Sequence, residues 1–265
     1  MRCSRPYQRG TARFLLVSTA LACPSGALAQ EEAPAKDVAP KPPTSTVTPA
    51  FELKRELTDR GATDQRTQTT LRAELLLSSP ISLLRLDGPF VDKKNTFAGD
   101  PSNQGLGDLK TRVALAPIPV WGAPLTLYLD LVFPTGGNLG AGKYQVVPGT
   151  ESSIRLLSGD APALTFLPVA EQYISVGGDS TRQSLYYLKF ELKVEARWEH
   201  WSISLNPKPV IDWTGPSTAA VIDLEGAWIP SAHWRLWLKV GRRLWGSTLP
   251  STYDTQVELG VRWTL

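Results

Sequence analysis

Between Ser184 and Trp198, the residues Ser184, Tyr186, Leu188, Phe190, Leu192, Val194, Ala196 and Trp198 alternate with Leu185, Tyr187, Lys189, Glu191, Lys193, Glu195 and Arg197. Side chains of a strand point to opposite faces in turn, so this run reads as a strand with one apolar face and one wet face. A strand of a soluble protein is usually about 5–6 residues; a tilted strand crossing a bilayer needs about 9–11. The run meets the longer requirement, and similar runs recur. Tyr253, Thr255, Val257, Leu259, Val261, Trp263 and Leu265 oppose Asp254, Gln256, Glu258, Gly260, Arg262 and Thr264. Trp234, Leu236, Leu238 and Val240 oppose Arg235, Trp237 and Lys239. Ala220, Ile222, Leu224 and Trp228 oppose Asp223 and Glu225; Trp201, Ile203 and Leu205 oppose His200, Ser202, Ser204 and Asn206. Leu125, Leu127, Leu129, Leu131 and Phe133 oppose Thr126, Tyr128 and Asp130, and Leu109, Val113 and Leu115 oppose Lys110 and Arg112.

The remaining segments are weaker. Stretches near 145–157 and 162–176 alternate less regularly, and Pro168 predicts an irregularity because it lacks a ladder N–H. Leu71 to Leu77 and Ile81 to Leu86 read as a hairpin about Ser78-Ser79-Pro80, after a weak first strand near 51–60. The tally is twelve strands, or ten if the first hairpin partner fails, and both counts are even, as single-chain bacterial barrels require. The expected fold is all-β, a transmembrane antiparallel β-barrel.

The N-terminus changes the picture by fixing the compartment. Arg2, Arg5, Arg9 and Arg13 precede the apolar stretch Phe14 to Ala22, and Ala27-Leu28-Ala29 forms a small-x-small site before Gln30. This reads as a secretory signal peptide over residues 1–29. Leu21-Ala22-Cys23 offers a competing lipoprotein site with Cys23 lipidated. Residues 30–50, rich in Pro, Ala and charge, read as a disordered periplasmic tail, leaving 51–265 for the barrel. No later apolar run approaches 18 residues, so the mature chain has no membrane-spanning helix, and a closed barrel is the structure left that could cross a bilayer. The expected location is the outer membrane of a Gram-negative bacterium.

Charge and reactive residues narrow the function. Removing the four signal arginines from 28 basic residues leaves 24 against 25 acidic ones. A nucleic-acid partner therefore has no electrostatic support. Cys3 and Cys23 both precede the cleavage site, so no disulfide framework is expected. His200 and His233 complete a poor set of metal ligands, and neither a metal nor another cofactor is expected. All nine Trp residues lie at or beyond Trp121, many near strand ends, as an aromatic girdle would place them.

Gly105-Leu106-Gly107-Asp108-Leu109 opens a strand; Phe133-Pro134-Thr135-Gly136 follows, then Gly140-Ala141-Gly142 and Pro148-Gly149. In their order and spacing these motifs resemble the family of outer-membrane proteins named for the meta pathway of phenol degradation, most densely over residues 70–150. The resemblance implies a transporter or channel, in some cases connected with aromatic compounds, and supplies no catalytic residues. The last segment also resembles the C-terminal recognition strand of bacterial outer-membrane barrels, with Leu265 where Phe or Trp is usual. That implies the barrel-assembly machinery and outer-membrane lipid as partners.

The face opposite the lipid face carries the candidate chemistry. Lys110, Arg112, Tyr128, Asp130, Lys189, Glu191, Lys193, Glu195, Arg197, Asp223, Glu225, Arg235, Lys239, Glu258 and Arg262 are expected to line the lumen. Mixed signs on neighbouring strands favour ion pairs that narrow a channel rather than a pore of one dominant sign. The expected role is a passive channel or transporter for small molecules, aromatic or hydrophobic compounds among them, and not an enzyme. Two alternatives remain: a structural barrel without transport, and a lipid hydrolase using His200 and Ser202, whose His-x-Ser pair resembles that of lipid A deacylases. Against the hydrolase, the alternation points both side chains to the lumen and no orienting acid is fixed.

Overall fold

A computed structural model describes residues 47–61, 64–78, 80–95, 103–157, 162–215 and 217–265. The expected signal peptide, Cys23 and most of the expected tail lie outside the described residues. No helix among the described residues is long and apolar enough to cross a membrane.

Twelve strands form among the described residues. They are β1 (Thr48–Asp59), β2 (Asp64–Leu76), β3 (Ile81–Asn95), and β4 in three pieces (Asn103–Leu106, Leu109–Leu115, Ile118–Val120). Then come β5 (Ala123–Phe133), β6 in two pieces (Lys143–Ser152, Ile154–Leu157), β7 (Ala163–Gly178) and β8 (Tyr186–Arg197). The last four are β9 (Trp201–Asp212), β10 (Ser217–Ser231), β11 (Trp234–Gly246) and β12 (Thr255–Thr264). Each pairs antiparallel with its sequence neighbours, and β1 pairs with β12 from Ala50↔Thr264 to Asp59↔Thr255, closing the ring. Closure leaves no sheet edge for lipid to strand unpaired. The twelve-strand count holds; the weak first hairpin forms because β1 and β2 match over their full length.

β1 opens at Thr48, inside the segment expected as tail. The partners on both sides explain this: Thr48 pairs with Leu76, and the Leu265 N–H donates to Pro49 O at 3.0 Å. Pairing carries the strand back past Phe51. Pro168 pairs with Leu192 on its β8 side, while on its other side the ladder is interrupted between Val169↔Glu151 and Phe166↔Ile154. The missing N–H thus faces the break in β6 at Ser153.

The two rims differ. The near rim, which holds Thr48 and Thr264, has short connections such as Trp121-Gly122 (φ 50° and 83°), a two-residue hairpin of the kind that needs positive φ twice. The far rim carries the longer ones, including 134–142, 179–185 and 247–254. The exterior is a belt of exposed apolar side chains: Leu53 and Leu57, Leu127, Leu129 and Leu131, Ile203 and Leu205, Leu236 and Leu238, Val257 and Leu259. Phe51, Trp263 and Trp234 stack in series at the near rim with ring centroids 6.2 and 6.0 Å apart, and Trp201 stacks on Trp228 beside them. Trp237 departs from the girdle, turning inward and buried.

Candidate functional site

Alternation that sends leucine outward sends charge inward, and the lumen is tied across strands by ion pairs. On β4 and β5, Arg112 donates through Nε and Nη2 to the two Asp130 oxygens at 2.6 and 2.8 Å, and Nη2 also reaches Glu171 of β7 at 3.0 Å. Its guanidinium lies 3.6 Å over the Tyr128 ring, whose hydroxyl donates to the same Glu171 at 3.0 Å. Lys110 approaches Asp130 at 2.7 Å. Lys189 bridges Glu171 at 3.1 Å and Glu191 at 2.6 Å. Lys193 and Arg235 lie between Glu195 and Glu225 at 2.8–3.4 Å. Glu258 receives Lys54 at 3.3 Å, Lys239 at 2.9 Å and the Trp237 indole N–H at 2.9 Å. Arg262 meets Glu74 at 2.6 Å, and Arg72 joins Glu52 at 3.1 Å to Asp87 at 2.7 Å.

Strand glycines make room for the inward rings. Gly149 lies opposite Tyr128 and Gly260 opposite Trp237, and a Cβ at either would overlap the ring. The ring thereby fills the gap its cross-strand glycine leaves.

Two cavities follow the lumen. The larger, about 960 Å³, opens beneath the far-rim loops and is lined by Lys110, Arg112, Tyr128, Lys189, Glu191, Lys239 and Glu258 among others. The smaller, about 470 Å³, lies toward the near rim and is lined by Lys193, Arg197, Glu225, Arg235, Lys239, Glu258 and Arg262 among others. Lys54, Arg72, Lys239 and Glu258 line both and mark the neck between them. Of the fifteen residues expected to line the lumen, Asp130, Glu195 and Asp223 line neither cavity. They face inward but are buried behind the cations that pair with them.

Sequence reasoning missed Glu52, Lys54, Arg72, Glu74, Arg85, Asp87, Glu171 and Lys208. Period-two alternation in β1 and β2 carried the signal for Glu52, Lys54, Arg72 and Glu74, but those strands were weak in apolar content. Lys208 lies between Pro207 and Pro209, and it reaches the buried Asp223 at 2.5 Å.

Two far-rim loops shape the mouth. The Asp108 carboxylate accepts the Gly136 N–H at 3.2 Å and the Ala141 N–H at 2.6 Å, while Thr135 Oγ1 donates to Gly107 O at 2.8 Å and accepts from the Leu109 N–H at 3.0 Å. The GLGDL, PTG and GxG motifs are therefore parts of one clamp. Across the ring, loop 247–254 folds inward. Tyr253 donates to Asp223, Tyr187 and Ser251 share a hydrogen bond at 2.8 Å, and Leu249 is buried with Tyr187, Val210 and Ala219. Tyr173 stacks on Tyr187 with centroids 4.3 Å apart, adding an aromatic patch to the larger cavity.

His200 lies in the exposed β8–β9 turn and reaches Ile229 O at 3.3 Å and Glu199 at 3.6 Å, whereas Ser202 is buried on the lumen face of β9. No hydrogen bond joins them. His233 likewise sits in a turn, against Thr264 O at 2.8 Å.

No family model and no curated protein matches the chain. Solved structures do. An outer membrane channel from Pseudomonas putida F1 superposes with a TM-score of 0.61 at 14% identity, over 88% of this chain and 100% of that one. The NanC porin gives 0.56 at 9% identity, over 80% and 100%. The β domain of the Bordetella autotransporter BrkA gives 0.51 at 12% identity, over 82% and 98%. At these identities the likeness establishes the fold: a closed antiparallel twelve-strand barrel of the outer-membrane kind.

Proposed function

We propose that the protein is a passive channel for small molecules in the outer membrane of a Gram-negative bacterium. The observation that carries this reading is the pair of polar cavities that abut at Lys54, Arg72, Lys239 and Glu258 and together follow the lumen toward both rims. The apolar belt and the near-rim aromatic stack supply the lipid-facing surface that such a location demands. The near rim is then periplasmic and the longer loops extracellular, and β12 is the strand read by the barrel-assembly machinery. The neighbouring channel and porin structures support the same reading. Aromatic or hydrophobic compounds remain the solute class implied by the resemblance to the phenol-pathway family, and the stacked Tyr173 and Tyr187 offer a ring-shaped solute a surface in the larger cavity.

Single-channel recording of the refolded mature protein in a planar bilayer tests this. Discrete, reproducible conductance steps are expected. Silence from protein shown to be folded overturns the channel and leaves a structural barrel.

A further inference from the structure

Along the lumen the formal charges are mixed, but depth sorts them by sign. At the neck, the Glu258 side chain is 4% exposed, whereas Lys54, bound to it, is 20% exposed. Arg262 is 30% exposed against 6% for Glu74, and Lys110 is 23% exposed while Asp130 is fully covered. Lys193 and Arg235 likewise stand proud of Glu195 and Glu225. The reason is geometric. Asp and Glu are short and stay against the wall, whereas Lys and Arg carry their charge on long stems that extend over the carboxylates they neutralise. Trp237 and the two lysines cover most of Glu258. The order reverses on the far-rim side: Arg112 with Glu151 and Lys189 with Glu191, whose acids line only the larger cavity, and Arg243 with Asp254 and Arg182 with Asp179 at the rim itself.

From the neck to the near rim, a permeating ion therefore meets ammonium and guanidinium groups first and the carboxylates only beyond them. Coulomb interactions weaken with distance and with intervening water, so near-neutral bookkeeping does not give a neutral surface. Rings of one exposed sign select ions of the other. We propose that the lumen passes small anions, carboxylates among them, in preference to cations of the same size, and that Lys54, Arg72 and Lys239 at the neck do the selecting. This deepens the channel reading and rests on it.

The reversal potential of the refolded mature protein in a bilayer under a potassium chloride gradient decides the matter. A potential of the sign set by chloride is expected, with chloride several-fold more permeant than potassium. A potential of zero or of the potassium sign overturns the anion preference and leaves the channel standing. A folded protein that does not conduct overturns the channel reading and this inference with it. Replacing both neck lysines, Lys54→Gln with Lys239→Gln, should bring the permeability ratio several-fold closer to one; an unchanged ratio removes the neck as the selecting element. Arg197→Glu is the companion variant should that pair fail to fold, because Arg197 lines the smaller cavity and makes no ion pair among the described residues. It too should lower the ratio, and a ratio it leaves untouched counts against a cationic lumen surface.

Discussion

The two far-rim loops that shape the mouth are held in opposite ways. Loop 134–142 is fastened by its backbone: two of its N–H groups converge on one carboxylate, Asp108, and Gly140 stands so close to that carboxylate that a Cβ would overlap it. Loop 247–254 is fastened by side chains. Ser251 and Tyr253 reach inward to Tyr187 of β8 and Asp223 of β10, which lie 64 and 30 residues away in the chain, and Thr252 turns back on Leu249 at 2.8 Å. A backbone clamp demands particular residues at fixed spacing, because only glycine leaves room and only a short acid fits between two N–H groups. A side-chain anchorage demands partners that a sequence does not mark as neighbours.

Trimming and clamp-breaking should separate the two. Replacing residues 248–253 by two glycines removes the inward-folded segment but no strand, so single-channel conductance should rise several-fold while the barrel stays folded. Unaltered conductance would mean that the passage does not run past this loop. Gly140→Val should act on stability instead: displacing Asp108 forfeits two charge-assisted hydrogen bonds, about 3 kcal/mol in all. A lowered thermal midpoint, followed by the gel-mobility change of the unfolding barrel, is the expected result, and an unchanged midpoint would show that the clamp does not contribute. Tyr253→Phe is the smallest change. It removes one donor from Asp223, which keeps Lys208, so stability should fall by about 1 kcal/mol and conductance should become noisier as the loop loosens.

The same distinction explains how much could be read from the chain. Strands such as β5 and β8 were legible because leucine and phenylalanine alternate with charge and nothing local competes. β1 and β2 were faint, since Arg55, Thr67 and Thr69 stand on the exterior face where leucine would have marked it. The clamp was legible as a motif, though not as a mechanism. Inward-facing charge was legible residue by residue, but its depth was not: parity reports the face of a strand, whereas the exposure of Asp130 or Glu258 depends on which cations from adjoining strands close over it. Asp130 and Asp223 were expected at the lumen surface and lie beneath it for that reason. His200 and Ser202 looked adjacent because parity counts through a turn as if the strand continued.

Loop 247–254 joins the last two strands and fills space that belongs to the bore. In a bare barrel, calibre is tied to the number of staves, and altering it means adding or losing a hairpin. On the proposed channel reading, this removable insert would narrow the mouth above the neck. Lengthening, shortening or recomposing that insert would let one set of staves serve cargoes of different size, with the lipid-facing surface and the terminal strand left as they are.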